Sequence, residues 1–178
     1  MILKNSQYAW LLNETAPRHL MEAIKLIGTS EIPGIKNNPT IMGWAKELLI
    51  QDIYTNDDTA WCGLFVAITQ FRAGREPLHN YGILRAREWA NYGIKAEKAE
   101  LADILVFQRP GGGHVGYYVG EDDTCYHVLG GNQSNTVNII RIEKSRCIAI
   151  RRVNYNSKPE NVRTIALSNT GIVSTNEA

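Results

Sequence analysis

Near Glu100 the hydrophobic rhythm of this chain changes, and that change constrains the fold more than any single motif. Before it, apolar residues recur every three or four positions, the period of helices. After it they come in short runs or alternate, the period of strands. The chain has 178 residues, 44% of them hydrophobic and 21% charged, which is enough to close one core without disulfide or metal staples. The expected class is therefore α+β, with N-terminal helices packed on a small antiparallel β-sheet. The folded domain is expected over residues 1–153. From Asn154 to Ala178 the composition turns to Ser, Asn, Thr and Pro and reads as a polar C-terminal tail.

Individual elements follow from spacing and caps. A first helix is predicted from Pro17, with Leu20, Met21, Ile24 and Ile27 on one face and Gly28 as its stop. Asn38-Pro39 predicts the start of a second, carrying Ile41, Trp44, Leu48 and Leu49. A third should run from about Cys62 to Ala73, with Leu64, Phe65, Ile68 and Phe71 at helical spacing, and a short fourth from Leu84 to Tyr92. Five strands are predicted at 104–107, 114–119, 125–129, 137–142 and 148–153, joined by Gly- or charge-bearing turns.

Charge excludes some partners. With 19 basic and 18 acidic residues, a net charge of +1 and no basic run, nothing draws the chain to nucleic acid or to anionic lipid. Cys62, Cys125 and Cys147 are odd in number and widely spaced, so they read as reduced thiols. Neither zinc-site spacing nor a phosphate-cradling glycine loop occurs, and no cofactor is expected. Ala9-Trp10-Leu11-Leu12 is too short for a signal peptide, and no apolar run is long enough to span a bilayer. The expectation is synthesis in the cytoplasm, with any substrate outside reached by other means.

The chemistry-bearing stretch is Asp57-Asp58-Thr59-Ala60-Trp61-Cys62-Gly63-Leu64. A lone cysteine is more often a small core hydrophobe. Here it falls in the first turn of a helix, where unpaired amides and the dipole favour the thiolate nucleophile. Such a nucleophile needs a base and a third group to orient the base. Of four histidines, His19 and His79 read as surface residues, whereas His114 opens a strand directly after Gly111-Gly112-Gly113. Alternation puts His114, Gly116 and Tyr118 on one sheet face, and the small Gly116 suggests that the Cys62 helix docks there. Two residues compete to orient His114. Asn132 lies in Leu129-Gly130-Gly131-Asn132-Gln133-Ser134, and His127 lies on the strand expected to pair with that of His114.

Cys62 at a helix start, then Gly113-His114-Val115-Gly116-Tyr117-Tyr118-Val119-Gly120, then a polar residue on the following strand, resembles the NlpC/P60 and CHAP superfamily of papain-like cysteine amidases. Trp61-Cys62-Gly63-Leu64-Phe65-Val66, Leu129-Gly130-Gly131-Asn132-Gln133 and the front segment from Gly28 to Trp44 resemble a phage- and secretion-system-associated branch of it. The similarity covers roughly Trp10 to Val153. The resemblance implies hydrolysis of an amide in the peptide of bacterial peptidoglycan through an acyl-enzyme on Cys62. His114 would be the base and Asn132 the third residue, with His127 as the alternative. It leaves open whether the enzyme is an endopeptidase cutting between D-Glu and diaminopimelate or an N-acetylmuramoyl-L-alanine amidase. It implies a bacteriolytic phage endolysin or an antibacterial effector acting in the periplasm or cell wall. A holin or a secretion machine would deliver it, and an effector would be met by an immunity protein. A non-catalytic wall-binding or phage tail module, and a papain-like acyltransferase or deamidase, are the competing classes.

Overall fold

The computed structural model describes residues 2–34 and 36–177, so the outer limits of the expected division, residues 1 and 178, lie outside it. The helical half holds α1 (Arg18–Lys25), α2 (Pro39–Glu47), α3 (Cys62–Arg72) and the single-turn α4 (Tyr81–Leu84). A 3-10 helix follows at Ala86–Asn91. The strands are β1 (Ile94–Lys95), β2 (Ile104–Arg109), β3 (Gly112–Glu121), β4 (Cys125–Gly130), β5 (Asn138–Glu143), β6 (Cys147–Arg152) and β7 (Val173–Ser174). They form one sheet in the order β1-β6-β2-β3-β4-β5-β7. The α+β class stands, and the five predicted strands all appear.

Asn38 caps α2 as its sequence position predicts, accepting from the Thr40 amide at 2.7 Å and the Ile41 amide at 3.4 Å. The start of α3 is built differently. Trp61 occupies its cap position and makes no side-chain bond to the helix. Upstream, the buried Asp57 carboxylate instead accepts from the amides of Ile32 (3.2 Å) and Asn38 (2.7 Å), tying the preceding loops together. A missing cap costs about 1 kcal/mol. Burial of Leu64, Phe65, Val66 and Ile68 contributes about 1.5–3 kcal/mol each and outweighs it. Residues 62–70 are buried all round, so α3 is a central helix. Phe71, predicted on its apolar face, is exposed instead.

Four further expectations are corrected. The helix α3 docks on the Val115, Tyr117 and Val119 face, not on the face of His114 and Gly116. There the Tyr117 hydroxyl meets Thr69 Oγ1 at 2.7 Å and accepts from Gln70 Nε2 at 3.0 Å. The opposite face is already covered: Tyr118 packs there in a second core with Leu105, Phe107 and Val128, and His114 lies beside Phe107. His19, expected at the surface, is fully buried, with Nε2 3.1 Å from the Ala102 carbonyl. The sheet is mixed and not wholly antiparallel, because β7 runs parallel to β5. Finally, the stretch after 153 is packed onto the domain. Leu101 and Glu121 donate to the carbonyls of Arg163 (2.9 Å) and Ile165 (2.8 Å), and Arg146 clamps the buried Glu177 carboxylate at 2.7 and 2.8 Å. This segment docks through backbone bonds, the Arg146–Glu177 pair and the apolar side chains of Val162, Ile165 and Leu167, the last lying against Gly120.

Candidate active site

The thiol sits where α3 begins, and its position depends on Gly63. A Cβ there would lie 2.0 Å from the Ile83 carbonyl oxygen, so only glycine lets α4 close on the helix start. Trp89 donates to that same carbonyl at 3.2 Å and braces the contact. Cys62 is 3% exposed, and it lines an open cleft with Ala60, Arg87, Arg109, Gly112 and Gly113.

Burial pushes the thiol above its ordinary pKa, against the opposing pull of the Val115 amide, the Arg109 charge and the helix-start amides. This reverses the expected thiolate: at so dry a position the loss of hydration penalises the anion more than the helix end stabilises it. Burial likewise lowers His114 to about 4, opposed by the Glu177 carboxylate and by its bond to Gln133. At neutral pH the resting pair is therefore thiol and neutral imidazole.

The proton on His114 is assigned by its neighbours. Gln133 donates from Nε2 to the carbonyls of Val128 (3.2 Å) and Asn138 (2.7 Å) and to Asn138 Oδ1 (2.9 Å). Carbonyl oxygens only accept, so the amide orientation is fixed and Oε1 must be the acceptor toward His114 Nε2, 3.0 Å away. The hydrogen is thus on Nε2 and the lone pair on Nδ1. Among the described residues Nδ1 has no hydrogen-bond partner, and the residue as a whole is buried. Gly130 makes room for this pair: a Cβ there would meet Gln133 Oε1 at 2.5 Å and His114 Nε2 at 3.1 Å. Cys62 and His114 share no hydrogen bond. The His114 ring lies beside Phe107 instead, with centroids 6.5 Å apart.

Neither expected orienting residue touches His114. Asn132 has a left-handed backbone, φ 55°, and serves the turn; the side chain that returns over the strands belongs to its successor, Gln133. His127 has both ring nitrogens engaged, Nδ1 with the Tyr8 hydroxyl at 2.7 Å and Nε2 with Asp122 at 3.0 Å. Gln133 and Glu177 are the site residues that the sequence reading missed. Gln133 stood in the singled-out block one place from the choice made, while no local signal marked Glu177. Among the described residues no group of three or more His, Cys, Asp or Glu could hold a metal ion, and no helix is long and apolar enough to cross a membrane.

Comparison with protein-family models, with curated proteins and with solved structures finds no match for this chain.

Proposed function

We propose that this protein is a papain-like cysteine amidase of NlpC/P60 type that hydrolyses an amide in the peptide of bacterial peptidoglycan. We read it as a phage endolysin or an antibacterial effector acting at the cell wall. One observation carries the reading: a thiol at the start of α3 opens onto a cleft, and the hairpin that walls this cleft carries a neutral histidine whose tautomer is fixed by Gln133 and whose Nδ1 has no partner among the described residues.

In the proposed reaction the scissile carbonyl carbon enters the cleft above Cys62. As the sulfur attacks, forming the C–S bond and a tetrahedral oxyanion, the Cys62 proton passes to His114 Nδ1, a step that requires the ring to turn from the Phe107 side of β3 toward the cleft. Backbone amides at the start of α3 would stabilise that charge. Collapse breaks the C–N bond, and the imidazolium returns its proton to the leaving amine. Water, deprotonated by Nδ1, then attacks the thioester and releases the acid and the thiol. A resting neutral pair suits this concerted use of a base, and contacts of this kind commonly tighten only with substrate bound.

Purified sacculi provide the test. Wild-type protein should release muropeptides with new carboxylates, detected by mass spectrometry as a gain of water, while Cys62→Ala releases none. Equal release by both proteins would exclude the hydrolase. A new amide or ester in the products would make it a transferase.

A further inference from the structure

The cleft beside Cys62, about 690 Å³ in volume, is lined by three guanidinium groups, those of Arg85, Arg87 and Arg109. None forms an ion pair with a carboxylate among the described residues, whereas Arg72, Arg141, Arg146 and Arg152 all do. Arg87 donates from Nε (3.1 Å) and Nη2 (2.7 Å) to the Gly112 carbonyl. Arg109 donates from Nε to the Gly113 carbonyl (3.2 Å) and from Nη1 to Asn176 Oδ1 (2.7 Å). These partners are neutral: they hold the two cations in place without cancelling their charge. Against the three stands one acid on the cleft wall, Glu88. Fixed, uncompensated guanidinium groups with spare N–H donors form a site for a planar anion, and a carboxylate fits that geometry. The two held arginines also belong to the glycine hairpin and the 3-10 helix that frame the thiol, so the anion would lie beside the scissile bond.

Resting on the reading above, we propose that Arg87 and Arg109 bind a free carboxylate of the substrate peptide next to the scissile amide, with Arg85 adding to the field. In a stem peptide linked through the side chain of D-glutamate, the α-carboxylate of that residue is the group so placed. The site would then select peptides with this carboxylate over those in which it is an amide.

The experiment measures binding without turnover. Cys62→Ala protein is titrated calorimetrically with L-Ala-γ-D-Glu-L-Lys-D-Ala-amide and with the same peptide carrying the α-amide at D-glutamate. The acid should bind about tenfold or more tighter, as a charge-assisted pair implies. That preference should shrink as salt rises. Adding Arg87→Gln should remove most of the preference, and Arg87→Lys should keep part of it. Equal binding of the two peptides, or no binding of either, would overturn the proposal. So would a preference that survives in both Arg87→Gln and Arg109→Gln proteins shown by thermal melting to be folded. Failure of the wild type to cleave sacculi, with the binding preference intact, would remove the hydrolase and leave the carboxylate site standing.

Discussion

Two histidines on neighbouring strands of the same sheet have opposite fates. His127 is a closed unit: its ring nitrogens are taken by Tyr8 and Asp122, and Asp122 in turn accepts from Arg141 Nε at 2.8 Å. His114 has one nitrogen held by a neutral amide oxygen and the other without a partner among the described residues. A base must have a free lone pair and a conjugate acid that is not locked into an ion pair, so His114 can move a proton where His127 can only hold structure. Asp122 shows the same contrast. Burial opposes its charge, yet the Arg141 guanidinium, the Thr124 amide and His127 together hold its carboxyl well below the usual carboxylate range.

The largest expected effect breaks the comparison on the His114 side. Replacing Cys62 or His114 with alanine should lower muropeptide release by roughly 10³-fold or more, as loss of a nucleophile or its base does. On the His127 side, Asp122→Ala should instead cost stability, about 3–5 kcal/mol by urea denaturation. It leaves Arg141 charged, nearly buried and without its carboxylate, while catalysis in the folded fraction should be little changed. If Asp122→Ala removed activity from the folded protein, the division between the two histidines would fall.

Gln133 sharpens the comparison. Gln133→Ala should slow hydrolysis on the order of 10²-fold by releasing the ring, with the effect in kcat rather than KM. Gln133→Glu keeps an acceptor on Nε2 but adds charge, so it should raise the acid limb of the pH profile and restore part of the rate. A structural role would show neither the shift nor the rescue.

Acid stability has a definite sign. His114 and His19 are both held near 4 by burial, below their unfolded value near 6.5. The unfolded chain therefore binds more protons, so their contribution to stability is full above about 6.5 and is lost as pH falls toward 4. Thermal melting should fall across that window. A flat profile would contradict the neutral His114. The smallest effect belongs to Glu177→Gln, which removes the negative charge near His114. It should lower the pKa of His114 slightly, read from the pH dependence of Cys62 alkylation.

Much of this was legible in the chain because it is local. Asn38 names its own helix start, the period change near Glu100 announces the sheet, and the glycines before His114 mark a hairpin. Cys62 does open α3, whereas His114, expected to open its strand, lies three residues into β3, because Gly112 and Gly113 already pair with Arg109 and Gln108. The orienting residue was not legible. Side chains reverse direction from one residue to the next, so a left-handed turn at Asn132 was enough to hand the role to Gln133. Glu177 and β7 were still less visible: a polar segment with no periodicity gives no sign that Arg146 and the edge of β5 will receive it.

By itself, then, the sequence determined the α+β class and the five central strands, since propensity, capping and period act within a few positions. Only the tertiary structure decided which sheet face receives α3, which polar side chain fixes His114 and whether Cys62 rests as thiol or thiolate. Each of those outcomes depends on burial and on partners far away in the chain, and neither is written in the residues next door.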